Sequence, residues 1–220
     1  MQVDAVIVAA GSSSRFGGDK LFAELCGRTV LARTVALYIS APGIRRIVLV
    51  VAAERRSEFD PIVAEAGRAI DVIAGGARRR DSVEAGLRAC SSRYVAIHDG
   101  ARPLTAPDLI ERVIAAAEGK PGAIAAMPVT DTIKEVSGGI ITGHPERSRL
   151  WAAQTPQVVL RQAWLDAAAS SDNDETDDAA ILSRLGLECV VVEGSPENIK
   201  VTRPGDLEVA AAILRARGEA

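Results

Sequence analysis

The chain has 220 residues, 48% hydrophobic and 25% charged, with a formal net charge of −3. That is globular composition at a length suited to one large domain or one domain with a small excursion. With no basic excess to neutralise phosphates, it argues against a nonspecific nucleic-acid binder while leaving room for a local cationic pocket. Cys26, Cys90 and Cys189 lie far apart without CxxC spacing. They argue against a disulfide framework or zinc site and for small buried hydrophobes in a reducing cytoplasm. The first residues carry no charged segment ahead of an apolar core, so no secretory leader is expected. No apolar run reaches the roughly 20 residues needed to cross a bilayer.

Strands and helices alternate along the chain. Residues 3–10 (VDAVIVAA) form a continuous apolar run, as in a strand covered on both faces. A helix over 29–40, a strand over 46–52 (RIVLVVA) and a short helix over 61–67 follow. Residues 70–74 (IDVIA) read as a third strand, closed by Gly75-Gly76. A helix over 81–89 comes next, with Asp81 or Ser82 near its start. Residues 94–97 (YVAI) are a fourth strand, ending at His98-Asp99-Gly100. Residues 107–118 are helical, opened by Pro107 and stopped by Gly119. The pattern then breaks. Gly138-Gly139 between two β-prone pieces predicts a hairpin arm over about 128–150 that leaves the sheet, with apolar positions suited to a partner subunit. A helix over 160–169, an acidic loop (SSDNDETDD), and a helix over 177–185 capped by Thr176 come next. Strands over 189–192 and 199–201 and a helix over 206–217 complete the chain.

This alternation predicts an α/β fold: a Rossmann-like, mostly parallel twisted sheet with helices on both faces, carried by residues 1–220 as a single domain with the arm inserted. Ligands of such sheets bind beyond the carboxyl ends of the strands. The loop AAGSSSRFGGDK and the turn HDGARP both fall at that edge. The loop lacks GxGxxG, and Gly11 and Gly17 are one residue too far apart for a Walker A loop. Its backbone N–H groups can still form an anion-binding nest, to which Arg15 and Lys20 add two charges suited to a polyphosphate. A solvated loop with its cations in water is the alternative. In HDGARP, Asp99 suits a Mg²⁺ bridging phosphate oxygens, and Arg102 suits an anionic group on a second substrate. His98 reads as a packed strand-end residue. The Gly75-Gly76 pair lets a flat base approach the backbone. Arg78–Arg80 reads as a solvated face, and Lys200 as a cation opening a late strand.

In series, AAGSSSR…K, GGxxRxxSVxxGL, HDGARP, PVTDTIK, LWAAQTPQ, TDDA and VEGSPENIKVT resemble the 2-C-methyl-D-erythritol 4-phosphate cytidylyltransferases of the non-mevalonate isoprenoid pathway. The likeness runs from the first strand to the last helix. It implies transfer of CMP from CTP to methylerythritol phosphate, with release of pyrophosphate. The acceptor phosphate attacks the α-phosphorus in line, so catalysis is positioning and charge stabilisation. It implies catalytic roles for Arg15, Lys20, Arg147 and Lys200. Ala10, Gly11, Gly76, Ser82, Asp99 and Gly100 would bind the nucleotide, and Arg102, Thr132, Thr155 and Thr176 the acceptor. Asp99 would also meet Mg²⁺ or another divalent cation. A homodimer is implied, with Arg147 reaching the partner's site from the arm. Two departures stand out. Many relatives read PKQ around the lysine where this chain has Asp19-Lys20-Leu21, and the loop is shorter. Glu197 is acidic at a position whose contact with metal is open.

The nearest rival is a ribitol-5-phosphate cytidylyltransferase, which would differ at the acceptor pocket. A molybdenum-cofactor cytidylyltransferase fits the arm and the Lys200 motif less well. A nicotinamide-dependent oxidoreductase lacks its GxGxxG. A nucleotide-sensing module would bind CTP without turnover.

Overall fold

Hydrophobic alternation sets the middle of the sheet. Strand β1 (Val3–Ala9) sends Val3, Ala5, Ile7 and Ala9 into one core and Val6 into a second on the opposite face. The computed structural model describes residues 1–11, 15–170, 175 and 177–220. Strands β4 (Ile44–Val51), β5 (Ile70–Ala74) and β6 (Tyr94–Asp99) run parallel to β1. Between β1 and β4 lie a small hairpin, β2 (Glu24–Leu25) and β3 (Arg28–Thr29), and helix α1 (Val30–Ser40). Thr29 caps α1, its hydroxyl oxygen accepting the Ala32 N–H at 3.1 Å. This satisfies one of the helix's unpaired donors. A 3₁₀ stretch (Ala53–Phe59) leads into α2 (Asp60–Glu65), and α3 (Arg79–Ala89) and α4 (Pro107–Ala117) follow β5 and β6.

The remaining elements are β7 (Gly122–Pro128), β8 (Glu135–Ser137), β9 (Ile140–Gly143), β10 (Trp151–Leu160), α5 (Arg161–Ala169), α6 (Asp178–Ser183), β11 (Val190–Glu193) and α7 (Gly205–Arg217). The seven-stranded sheet has the order β11-β7-β10-β6-β1-β4-β5. Every neighbouring pair is parallel except the two that β10 makes. Helices α1, α4 and α7 cover one face through residues such as Leu31, Leu109 and Leu214; α3, α5 and α6 cover the other through Leu87, Trp164 and Leu182. The expected mostly parallel α/β sheet with two helical layers is what the chain forms.

Topology then positions the site. From β1 the chain moves outward to β4 and β5, then crosses back to β6 on β1's other side. The carboxyl ends of β1 and β6 therefore lie side by side at a switch point, where such sheets leave a crevice.

Several details differ from the sequence reading. Strands β7 and β10 are additional: β7 is rich in alanine, and Pro156 interrupts β10, which the pairing accommodates by a register shift between Ala153 and Gln157. Residues 199–201 are not a strand but part of an irregular segment before α7. Helix α3 starts at Arg79 rather than Asp81. Asp177 caps α6, accepting the Ala180 N–H at 2.8 Å; Thr176, expected in that role, lies outside the described residues. The arm leaves the sheet after β7 and returns as β10. Its hairpin β8–β9 turns at Gly138 and Gly139, whose φ angles of 57° and 81° suit residues without a Cβ.

Helix α3 lies close against the sheet because Gly86 faces Val6: a Cβ there would come within 2.5 Å of Val6 Cγ1. Gly86→Ala gains about 1 kcal/mol of helix propensity but should lose about 1–3 kcal/mol to overpacking. We expect a lower thermal midpoint for this variant. An equal or higher midpoint would mean that α3 can move off the sheet freely.

Candidate active site

At the switch point a cleft of about 270 Å³ opens, and its lining brings together most of the residues the sequence singles out. The chain directly after β1 supplies Ala10 and Gly11, and the loop beyond them supplies Arg15 and Lys20. Gly76 and Ser82 form the opposite wall. Ser82 accepts the Gly76 N–H at 3.1 Å, which ties the turn after β5 to the first turn of α3. A Cβ on Gly76 would meet Asp81 Cβ at 2.4 Å, so the turn needs glycine there. Asp99 and Gly100 at the end of β6, and Lys200 from the segment before α7, close the floor.

Asp99 is the electrostatic centre. Lys200 Nζ lies 2.9 Å from its carboxylate, Arg79 Nε at 3.3 Å and Arg102 Nε at 3.6 Å. Burial alone would raise the Asp99 carboxyl; Arg79, Lys200 and Arg102 outweigh it and hold the group well below the usual carboxylate range. Lys20 shows the opposite balance. Burial lowers its pKa, the charges of Lys200 and Arg15 add to that, and Asp99 partly offsets them. The cleft thus gathers more positive charge than its own carboxylate neutralises.

A second cleft shares Arg79, Asp99 and Lys200 with the first and adds Arg102 and Thr155. Strand β10 brings Thr155 there by pairing antiparallel with β6. Thr155 is buried, and its hydroxyl is engaged within the protein: it accepts the Asp99 N–H at 3.1 Å and donates to His98 Nδ1 at 2.9 Å. His98 Nε2–H then donates to the Arg102 carbonyl at 3.3 Å. Burial pushes His98 down to about pKa 3. It is a neutral strut behind the site, in line with its reading as a packed residue.

The run Arg78–Arg80 is not a solvated face. Arg78 pairs with Asp81 at 2.8 Å at the start of α3. Arg79 bridges Asp99 and Asp178, the latter at 2.9 Å. Arg80 is buried and donates to the Ala168 carbonyl at 2.6 Å. Sequence reasoning missed Arg79 and Asp178 as site residues. Both stand in quoted motifs, GGxxRxxSVxxGL and TDDA, and that was the available signal. Asp178 is itself fixed by Trp164 Nε1–H at 3.1 Å. Asn198, fully buried, donates to Gln154 and to the Thr155 carbonyl and accepts from Thr105, so it anchors the segment that carries Lys200. Glu197 pairs with Arg217 at 2.6 Å and does not line either cleft.

Arg147 and Thr132 stay apart from both clefts. They are exposed on the arm, where Arg147 donates to the Thr130 carbonyl at 2.8 Å. Thr176 lies outside the described residues.

A doubly wound sheet with a cation-rich, glycine-walled cleft at its switch point is the architecture of a nucleotide-binding α/β protein. Residues 3–216 match the family model of 2-C-methyl-D-erythritol 4-phosphate cytidylyltransferase. A protein of that name from Prochlorococcus marinus is 47% identical over 221 residues, covering 96% of this chain and 98% of the relative. One from Cereibacter sphaeroides is 41% identical, covering 97% of each. The crystal structure of the 4-diphosphocytidyl-2C-methyl-D-erythritol synthase of Anaerococcus prevotii superposes with a TM-score of 0.87 at 27% identity, covering 97% of this chain and 98% of that one. The chain belongs to the 2-C-methyl-D-erythritol 4-phosphate cytidylyltransferase family.

The buried His98 makes a prediction about acid. Burial holds it at about 3 in the folded chain, below the ordinary imidazole value of about 6.5. Between those values the unfolded chain binds a proton that the folded chain does not, so stability falls as pH drops, by up to about 1.4 kcal/mol per pH unit. Urea midpoints measured from pH 6.5 to 4.5 should decline in the wild type and decline less in His98→Gln. Parallel curves would refute the neutral buried imidazole.

Proposed function

We propose that this chain transfers CMP from CTP to 2-C-methyl-D-erythritol 4-phosphate, forming CDP-methylerythritol and pyrophosphate. The observation that carries the reading is the convergence of Arg15, Lys20 and Lys200 on one cleft whose anion, Asp99, also borders a second cleft. Two substrates seated in clefts with a common wall meet at that wall. The triphosphate occupies the cleft with the excess cations, and the acceptor phosphate approaches past Asp99 and Lys200.

The acceptor phosphate is already anionic near neutral pH, so no general base is needed. The chain contributes orientation and charge. Arg15 and Lys20 neutralise charge that develops on the α-phosphate and on departing pyrophosphate. Ala10, Gly11, Gly76, Ser82 and Gly100 bind the nucleotide through close backbone approach. Lys200 is held by Asp99 and Arg102 by the Asn198 carbonyl at 2.6 Å; together they orient the acceptor phosphate. Thr155 acts through Asp99.

A divalent cation would be held by Asp99, whose oxygens it would share with Arg79, Arg102 and Lys200. The carboxylate is ionised and borders the nucleotide cleft, and one carboxylate completed by phosphate oxygens and water is a common magnesium arrangement. Among the described residues there is no larger metal-ligating cluster. When bound, the ion supplies further charge neutralisation on the phosphates.

The arm supports a homodimer. Ile133, Val136, Ile140, Ile141 and Trp151 are all exposed along it, an apolar set unusual for a free surface. In such a dimer Arg147 and Thr132 would serve the partner's acceptor cleft. No helix of the described residues is long and apolar enough to cross a membrane.

The activity is tested by pyrophosphate release from CTP with methylerythritol phosphate and ribitol phosphate as rival acceptors. Turnover should require the former, and equal or greater turnover with ribitol phosphate would reassign the acceptor. The dimer is tested by mixing two impaired variants. Lys20→Ala should lower kcat at least about tenfold, and Arg147→Ala should impair acceptor use. Heterodimers of the two should regain part of the activity, since one composite site keeps both residues. Verified heterodimers without recovery would rule out an arm acting in trans.

A further inference from the structure

The cation loop is pinned from outside the cleft by one carboxylate. Asp19 Oδ1 accepts the Leu21 N–H at 3.1 Å, spanning Lys20, while Oδ2 is held tightly by the Arg55 guanidinium. Arg55 is itself fixed. Glu58 takes it at 2.7 Å, and its guanidinium carbon lies 5.4 Å from the ring centre of Phe22 and 6.0 Å from that of Phe59. Those rings are 5.0 Å apart, and Phe59 is buried in the core. Neither Asp19 nor Arg55 lines the nucleotide cleft, yet Lys20, between the two attachment points on the loop, does.

The cleft needs such a pin. Arg15, Lys20 and Lys200 converge there, and Asp99 offsets only part of their mutual repulsion. The pKa of Lys20 is lowered by burial and further by Lys200 and Arg15. Gly17 and Gly18 precede the lysine and give the loop little stiffness of its own. An ordinary exposed ion pair contributes little, because solvent screens it. This one is different in kind: it is about 30% exposed on both partners and backed by an aromatic pair, and one of its oxygens grips the loop backbone.

We propose that Asp19 and Arg55 form a latch that presets Lys20 toward the nucleotide triphosphate. Arg55, in the 3₁₀ stretch after β4, is then a positioning residue for nucleotide affinity although it touches neither substrate. The latch reduces the ordering that binding would otherwise require. The inference rests on reading the cleft as the CTP site.

The test measures CTP binding by calorimetry, and steady-state kinetics for both substrates, in the unmodified protein, Arg55→Ala, Asp19→Asn and the double variant. Each single variant should weaken CTP binding about tenfold and raise the KM for CTP to match, with the acceptor KM within about twofold. The double variant should bind no worse than either single one, because both changes open the same latch. Leu21 amide exchange, followed by NMR, should accelerate in both single variants. The latch is overturned if the single variants bind CTP as tightly as the parent. It is also overturned if the two losses multiply, or if both KM values rise together with a falling thermal midpoint. If the unmodified protein binds no CTP, the reading of the cleft fails and the latch with it; CTP binding that all variants retain removes the latch alone.

Discussion

A carboxylate stays ionised inside a protein when cations or hydrogen-bond donors are brought to it. Asp99 recruits three, each from a different part of the chain: Arg79 from the start of α3, Arg102 from the turn after β6, and Lys200 from the segment before α7. Each of these parts is fixed in turn by a buried polar group. Asp178 holds Arg79, and Asn198 holds both Arg102 and the Lys200 segment. The charge at the end of one strand thereby assembles a wall common to two clefts. Because the cations outnumber the anions there, the assembled wall has positive potential left for phosphate.

The central strands were legible because burial on both faces writes itself as unbroken apolar runs, as in residues 3–10 and 46–52. The turn residues at the sheet edge were legible for a related reason: glycines and charges directly after such runs mark the carboxyl ends of parallel strands. Strands β7 and β10 were not legible. Alanine has weak strand preference, and Pro156 breaks the pattern in a strand whose pairing tolerates it through a register shift. Three successive arginines carry no local sign of where each one points. Arg79 turns inward only because Asp99 and Asp178, far away in sequence, meet it there. The apolar residues flanking Lys200 predict a strand; its segment is instead irregular and shaped by side-chain hydrogen bonds from Asn198, which no period reports.

At 27% identity the Anaerococcus prevotii structure still superposes with a TM-score of 0.87. The architecture therefore tolerates wide change in sequence, as expected if hydrophobic volume and pattern, rather than particular side chains, specify the layers. Local solutions can vary on such a frame. Asp19 and Arg55 are one, bracing a short glycine-rich loop from a neighbouring turn.

The reversed direction of β10 has a mechanical consequence. Because it runs against its neighbours, the arm must depart and return at the same edge of the sheet as the clefts. From Trp151, where the arm rejoins, to Thr155, which accepts the Asp99 amide, is four residues along one strand. The base of the arm and the wall shared by the two clefts are therefore joined by a short run of one chain, so a displacement at one end bears on the other.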